Sequence, residues 1–560
     1  MSEQLTLPTL EGDSDARRDG VRPAHGEPHA AESAGAVSGE SSTARDLLGR
    51  ERAARRARVA AHYDRLAALR DGWRRRNSYY HETLAAVCRQ IIPPGARVLE
   101  LGAATGELLA AVEPGEGVGV DLSRRMCDVA RAKFPRFTFL QADAEQLPLA
   151  REFDYVIMSD LVGHLSDVWE TLRRLHRVCH AQTRVVVTTY NFLWQPALAL
   201  AERLGLKMPQ PPQNWLGFSD LENLFRLTDF EIESSGVSLL LPARVPVVAP
   251  RLNRTRTRGS FLANFGLLNH FVLRPARDAS TTNALASGDP VTSSRAHTVS
   301  VVVPCRNEAG NIAACVERTP AMGARTEIVF VDGDSTDGTV AEIEREIERW
   351  RGRKEIRLVR QVARDERRGA RAANLMLKLG KGDAVRKGFA AASGEVLMIL
   401  DADLTVPPED LPKFYDALAR RKGEMINGTR LVYPLEDRAM KSLNFIGNKF
   451  FSWLFTWLLS QRVKDTLCGT KALRRCDYER IASARSYFGD FDPFGDFDLL
   501  FGAARLKLKI AEMPVRYRRR TAGETKVRVL RHGVLLARMC AVGFWRLKAQ
   551  PWLARLRNRT

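Results

Sequence analysis

Nowhere in this chain do 18 uncharged apolar residues run together, and its first 40 residues lack the paired basic and apolar regions of an export signal, so neither a spanning helix nor a secretory leader is expected. Cysteine is scarce. The eight present (Cys88, Cys127, Cys179, Cys305, Cys315, Cys468, Cys476, Cys540) form no CxxC pair and no His/Cys spacing of a zinc site, which excludes a disulfide framework and points to reduced thiols in cytosol. Large apolar side chains are almost missing from residues 1–42, which are rich in Gly, Ser, Glu, Pro and Ala; such a segment cannot bury enough surface to offset its ordering entropy and reads as a disordered tail. Acids are in deficit too, 66 against 86 lysines and arginines, for a net charge of +20. That balance favours a polyanionic partner. Sixteen of the basic residues, against two acids, fall in residues 505–560, so the excess is localised. No zinc finger, helix-turn-helix or stacking motif accompanies it, and nucleic acid is not the expected partner.

What is present is enough for more than one core. At 560 residues the chain exceeds the size at which single cores split, and 45% hydrophobic with 27% charged residues is the balance of a folded soluble chain. From Thr43 to Asn77, Ala, Arg and Leu at helical spacing predict a basic, mostly solvated helical lead-in. A run of small and polar residues after Arg277 divides the remainder into domains over 43–277 and 298–560, with a linker over 278–297. Strand and helix patterns alternate in both. Strands are expected at residues 97–101, 117–121, 137–141, 153–159 and 184–189, then at 298–303, 327–331, 356–360 and 396–400, which predicts two tandem Rossmann-like α/β domains with doubly wound parallel sheets.

The first domain carries VLELGAATGELL (Val98–Leu109), with Gly102 and Gly106 at a strand-to-helix turn. Absent side chains there let backbone amides approach a ligand, and the helix N-terminus favours negative charge. Asp121 follows Gly102 by 19 residues at the end of the next strand, where an acid accepts hydrogen bonds from a ribose diol; its alternative is a helix N-cap ahead of Ser123. Asp143 ends the third strand on the same rim. His164 is either a base near an acceptor or a packing imidazole.

These stretches resemble the class I S-adenosylmethionine-dependent methyltransferases, over roughly Ala60 to Arg277. The resemblance implies that Glu100, Gly102 and Gly106 form the first cofactor loop, that Asp121 holds the ribose, that Asp143 faces the adenine, and that Phe153–Val168 borders the methyl donor. Ala104 stands where the family usually has glycine. Direct methyl displacement needs mainly positioning and desolvation, so a base is not obligatory.

In the second domain VSVVVPCRNEAGNI (Val299–Ile312) is an apolar strand broken by Pro304, and TEIVFVDGDSTDGT (Thr326–Thr339) ends another in Asp332, Asp334 and Asp337. VLMILDADLTVP (Val396–Pro407) ends a third in Asp401-Ala402-Asp403. Two carboxylates one residue apart at a strand end project to the same side and suit a hard divalent cation carrying a diphosphate. This constellation, with KGDAVRKGF (Lys381–Phe389), INGTRL (Ile426–Leu431), DTLCGTKALRR (Asp465–Arg475) and VRYRRRTAGETK (Val515–Lys526), resembles the family 2 glycosyltransferases, in particular the dolichol-phosphate mannosyltransferase and polyprenyl-phosphate branch. It implies a GT-A type nucleotide-sugar fold. Pro304, Asn307, Glu308 and Asp332 would then hold the nucleoside, Arg520 and Lys526 would meet phosphates of donor or acceptor, and Asp334, Lys381 and Asp383 would lie in the substrate site. Asp401 and Asp403 would bind Mg²⁺ or Mn²⁺. Asp332-Gly333-Asp334-Ser335 displaces the family's second acid by one position. If the acceptor is a hydroxyl a base is needed, and Asp496 or Asp498 is the candidate, against capping or orienting roles; a phosphate acceptor needs none.

The short aromatic-rich stretch Asn444–Val463 and the basic C-terminal segment suit a bilayer interface, with the alternative of an ordinary buried helix for the former. Together these readings describe a bifunctional enzyme: methyl transfer from S-adenosylmethionine, and metal-dependent transfer from a nucleotide-sugar donor to a lipid-phosphate or small-molecule acceptor. The expected place is cytoplasmic, peripheral on an anionic membrane surface at the inner face. The alternative is a glycosyltransferase alone, its N-terminal domain a cofactor-binding or scaffold module.

Overall fold

The computed structural model describes residues 40–242, 265–276, 297–361, 380–430, 442–487, 495–518 and 529–557, with Asn253 and Arg520. The tail to residue 39, the composition break after Arg277 and Lys526 lie outside the described residues. None of the eight cysteines is paired.

The first half builds a sheet from β1 (Arg97–Leu101), β2 (Glu116–Asp121), β3 (Thr138–Gln141), β4 (Phe153–Ser159), β5 (Cys179–Tyr190), β6 (Phe230–Ser238) and β7 (Leu268–Pro275), in the order β3-β2-β1-β4-β5-β7-β6. The first five are parallel, with Leu99 opposite Val118 on one side and Val156 on the other. β7 runs antiparallel to both β5 and β6, so the sheet is mixed where an all-parallel one was expected. The strand order reverses between β1 and β4, and such a switch point opens a crevice at the carboxyl ends of the strands.

The second half repeats the plan with β8 (Thr298–Cys305), β9 (Arg325–Asp332), β10 (Glu355–Arg360), β11 (Val396–Ile399), β12 (Met425–Thr429), β13 (Lys471–Arg474) and β14 (Ile510–Pro514), ordered β10-β9-β8-β11-β13-β12-β14. β8 to β11 are parallel; β13 is antiparallel to β11 and β12. Its switch point lies between β8 and β11.

One continuous apolar core runs from Leu99 and Val156 through helices Val168–Leu175 and Phe218–Leu227 to helix Leu411–Ala419 and on to Val301 and Met398. Charge follows the same seam. Asp167 pairs with Lys413 at 3.0 Å, Asp229 with Arg420 at 2.8 Å and with Lys422, and Asp220 with Arg462 at 3.3 Å and with Lys464. In these pairs the acids stand on the first half and the cations on the second, while Arg173 and Asp416, 4.0 Å apart, run the other way, so the two halves are docked as well as tethered.

Candidate active sites

At the first switch point, β1 carries Glu100 just before its end at Leu101, and the chain turns through Gly102 (φ 75°) and Gly106 (φ 82°) into helix Glu107–Ala111. A Cβ on Gly106 would strike the Phe139 ring, and one on Gly102 would sit 3.1 Å from Leu161. Ala104 is held at φ 48°, in the left-handed region that glycine favours. Its amide donates to Asp121 Oδ2 at 2.8 Å, and the Ser123 amide donates to Oδ1 at 2.8 Å. Asp121 therefore braces the loop. The cap of the following helix is Ser123, which accepts from the Met126 amide at 3.2 Å, so Asp121 is not the N-cap. Burial pushes the Glu100 carboxyl up to about 8, while its Oε2 accepts from the Leu109 amide at 3.0 Å.

A cavity of about 720 Å³ opens here, lined by Glu100, Gly102, Ala104, Asp121 and Asp143. Gly106 lies behind it as a packing glycine. Asp143 accepts from Arg56 at 2.8 Å and from the Glu145 amide at 2.8 Å. The opposite wall is formed by Tyr63, Arg70 and Trp73 from the lead-in and by Tyr80 and Tyr190, none of them singled out in the sequence, with Asp160 and His164 beside them from the stretch Phe153–Val168 that was expected to border the methyl donor. The lead-in is thus less solvated than expected. It is anchored by Asp64, which accepts from Ser123 Oγ at 2.6 Å, and by Asp71, 2.5 Å from Lys133. Tyr80 Oη donates to Asp160 Oδ2 at 2.6 Å, and Asp160 is itself at φ 51°. His164 Nε2 lies 3.2 Å from Tyr63 Oη; its Nδ1 is buried without a partner, and burial lowers the imidazole to about 4. A cofactor with an adenosine and a charged amino-acid end fits this cradle, because the glycine floor admits close approach and acids stand at both ends.

At the second switch point, β8 runs through Pro304, where a break was expected, to Cys305, and Asn307 turns at φ 54°. Asn307 Oδ1 accepts from the Thr336 amide at 2.8 Å, and its own amide donates to Ser335 Oγ at 2.9 Å. Buried Glu308 accepts from Asn311 Nδ2 at 2.8 Å and lies 3.8 Å from Arg520. Asp332, buried at the end of β9, accepts the Ser335 amide at 3.3 Å; the displaced Asp334 stands at φ 65°. Asp383 takes Gln361 Nε2 at 3.0 Å and Lys387 at 3.3 Å, on the β10 side of the crevice.

The Asp401-Ala402-Asp403 turn gathers cations from distant segments. Lys381 lies 2.5 Å from Asp401 and Arg520 lies 2.6 Å from Asp403, whose other oxygen accepts from Thr405. Burial opposes both charges of the first pair, but the pairing wins: Lys381 holds Asp401 below the usual carboxylate range and is itself raised. Among the described residues no three His, Cys, Asp or Glu side chains converge. Among the described residues the charge of the expected metal pair is met by Lys381 and Arg520. A divalent cation still fits the donor set, since Mg²⁺ is commonly held by one or two carboxylates with substrate phosphates completing the shell.

The two candidate bases are differently placed from expectation. Buried Asp496 is 2.6 Å from fully buried Lys471, and Asp498 is 2.8 Å from Arg485. Each carboxylate already holds a cation, which suits positioning more than proton abstraction. Also unforeseen was Arg430, clamped by buried Asp465 through Nε at 2.7 Å and Nη2 at 2.8 Å and stacked over Tyr517.

Residues 98–182 match the family model described as a methyltransferase domain, and residues 300–481 the model described as glycosyl transferase family 2. Among curated relatives, glycosyltransferase AglD of Haloferax volcanii is 28% identical over 258 residues, which is 46% of this chain and 38% of that protein. Dolichol-phosphate mannosyltransferase of Saccharomyces cerevisiae is 35% identical over 124 residues, 21% of this chain and 40% of that protein. The Pyrococcus furiosus protein of the same name is 28% identical over 251 residues, 41% and 59% respectively. The chain thus spans 38 to 59% of the length of these relatives. A solved S-adenosylmethionine-dependent methyltransferase of Thermotoga maritima, described as a possible histamine N-methyltransferase, aligns at 19% identity and TM-score 0.32, covering 39% of this chain and 99% of that one. The chain carries a methyltransferase domain followed by a family 2 glycosyltransferase domain.

Proposed function

We propose that this chain is a bifunctional transferase: its first half moves a methyl group from S-adenosylmethionine, and its second moves a sugar from a nucleoside-diphosphate donor to a lipid phosphate at a membrane surface. The observation that carries the second activity is the ring of cations at the carboxylate turn, where Lys381 and Arg520 reach Asp401 and Asp403 from segments far apart in sequence. As a sugar leaves its diphosphate, negative charge grows on the leaving group, and prearranged cations stabilise it without reorganisation. Asp401 and Asp403 would hold Mg²⁺ or Mn²⁺, which supplies Lewis-acid neutralisation of that diphosphate. Asn307, Glu308 and Asp332 line the path to the nucleoside. Arg430, fixed by Asp465, offers a guanidinium to an acceptor phosphate, which attacks already ionised. Salt-bridged Asp496 and Asp498 agree with that choice of acceptor.

In the first half, Asp121 and Glu100 hold the cofactor's ribose and cationic end, with Asp143 near the adenine. S-adenosylmethionine supplies an electrophilic methyl and a neutral leaving sulfur. The chain's part is to orient and dry the pocket.

Among the described residues no helix is long and apolar enough to cross a membrane. Trp453 (67% exposed), Trp457, Trp545 and Trp552 are nonetheless exposed on neighbouring helices whose inner sides bury Phe455 and Met539. Trp457 stacks on Phe544 with Lys548 over its ring. Such an aromatic and basic face supports docking to an anionic interface.

The test uses purified full-length protein, radiolabelled UDP- and GDP-sugars and a polyprenyl phosphate in detergent. Label is expected in the lipid phase with Mg²⁺ or Mn²⁺ and not with EDTA; donor hydrolysis without lipid labelling would redirect the acceptor to a soluble molecule. Calorimetric titration with S-adenosylmethionine, lost in Asp121→Ala, tests the first half. No heat in the wild type would favour a scaffold role, which the ion-paired seam between the halves also suits.

A further inference from the structure

Helix Gln195–Arg203 forms a wall of the first cavity, yet none of its residues is buried. Ala197, Leu198 and Ala201 face the cavity, while Leu200 and Leu204, one turn apart, are 56% and 63% exposed. Leu206 does both: it lines the cavity and is 60% exposed, so it marks the mouth. Across the mouth stands exposed Leu69, beside Arg70, and the two lips are tied by His62 to the Pro209 carbonyl at 3.0 Å and by Asn77 to the Leu206 carbonyl at 3.3 Å. A helix with apolar residues on both faces, and leucines open to solvent on the outer one, marks a surface that meets an apolar partner.

Charge narrows the partner. Six cations line the cavity; Arg56 is matched by Asp143, Arg74 by Glu107 and Lys207 by Glu202, Arg76 lies over the Trp73 ring at 5.2 Å, and Arg55 and Arg70 complete the set. Arg70 also lines the cavity, no described carboxylate forms an ion pair with it, and its Nε is buried without a hydrogen-bond partner. An unmatched guanidinium in a half-closed pocket calls for an oxyanion.

We propose that the methyl acceptor is an anionic amphiphile: a lipid-linked, phosphate-bearing saccharide whose hydrocarbon chain lies along Leu200, Leu204 and Leu206 while its phosphate is met by Arg70. This rests on the reading of the cavity as a methyltransferase site. It places in the first half the class of molecule that the second half makes. In the transfer a saccharide hydroxyl oxygen forms the new bond to the methyl carbon and the carbon–sulfur bond breaks, its electron pair staying on sulfur. The hydroxyl proton leaves to water in the open mouth of the cavity, since displacement by a positioned oxygen needs no protein base.

The experiment uses full-length protein loaded with S-adenosylhomocysteine and a diazirine-bearing farnesyl phosphate, with crosslinked peptides mapped by mass spectrometry. Labels are expected within residues 193–209 and 62–76, apart from those in the glycosyltransferase half. Leu200→Glu/Leu204→Glu, both at exposed positions, is expected to reduce the first set at least tenfold while S-adenosylhomocysteine binds calorimetrically as in wild type. Arg70→Met is expected to reduce it at least fivefold, and excess farnesyl phosphate, but not farnesol or inorganic phosphate, to compete. Normal cofactor binding with no label in these peptides would overturn the inference, as would equal competition by farnesol. Loss of S-adenosylhomocysteine binding in Arg70→Met, with 5′-methylthioadenosine bound normally, would assign Arg70 to the cofactor's carboxylate and overturn its role at the phosphate. Failure of the wild type to bind S-adenosylhomocysteine would sink the methyltransferase reading first, and this inference with it.

Discussion

The carboxylate of Asp220, on a helix of the methyltransferase half, meets the ammonium of Lys464 in the glycosyltransferase half, with Arg462 3.3 Å away on its other oxygen. The Lys464 amide donates to Glu512 Oε1 at 2.6 Å, and the neighbouring Asp465 amide donates to the same oxygen at 3.3 Å. Asn223 donates to the Glu512 carbonyl at 2.6 Å. Because Asp465 clamps Arg430, one domain's helix steadies the segment that positions a guanidinium of the other.

Asp220→Ala is therefore expected to act on sugar transfer without touching the methyl site. It removes one member of a largely buried pair, and the cost should be about 2 kcal/mol, below the range for fully buried pairs because Lys464 and Arg462 are partly exposed. Urea denaturation measures that cost. Glycosyl transfer should slow severalfold with S-adenosylmethionine affinity unchanged. In Asp220→Ala/Lys464→Met the losses should be less than additive; full additivity would dissolve the link.

Ala104 offers a gain instead. Its φ of 48° is one that an alanine adopts at a cost of about 1 kcal/mol relative to its right-handed wells. Ala104→Gly should recover part of that strain while keeping the amide that reaches Asp121. Denaturation is expected to show a variant as stable as or more stable than the wild type, with S-adenosylhomocysteine bound at least as tightly. Weaker binding would mean that the alanine methyl packs on the cofactor.

The parallel strands were legible because buried on both faces they read as apolar runs, such as VSVVV of β8, and because their carboxyl ends carry the conspicuous acids. The antiparallel additions were not. β6 alternates weakly through Glu231 and Ser235, and β12 to β14 are four or five residues each, too short for periodicity to separate from loop. The glycine turn between β1 and its helix could be located because spacing along one strand-turn-helix fixes it. Arg70 and the pairing of Arg430 with Asp465 could not, since such neighbours are set by tertiary packing, across 35 positions in that pair. The lead-in misled through composition: its arginines suggested solvent, while Tyr63, Asp64 and Asp71 carry its contacts.

Gly469, in the segment that follows Asp465, is packed so closely that an added Cβ would fall upon Asp401 Oδ2 and Lys381 Nζ. Gly469→Ala should displace that ion pair without reaching the first half. Sugar transfer is expected to fall at least tenfold, with the loss in kcat rather than in donor KM if the pair acts on developing charge. S-adenosylmethionine binding serves as the control for folding. Unchanged transfer would remove the Lys381–Asp401 pair from the mechanism.

Burial pushes Glu100 up to about 8, whereas an unfolded glutamate titrates near about 4.3. Between those values the folded chain holds the extra proton, so this group's contribution to stability is full below about 4.3 and declines as pH rises toward about 8. A cationic ligand arriving beside Glu100 reverses the preference by favouring the carboxylate. Cofactor binding at pH 7 is therefore expected to release a proton, and affinity to rise with pH and level off above about 8. Calorimetric titrations in buffers of different ionisation enthalpy read that proton directly. Glu100→Gln should abolish the buffer dependence; a wild type whose binding heat is the same in every buffer would show that Glu100 does not sense the cofactor's charge.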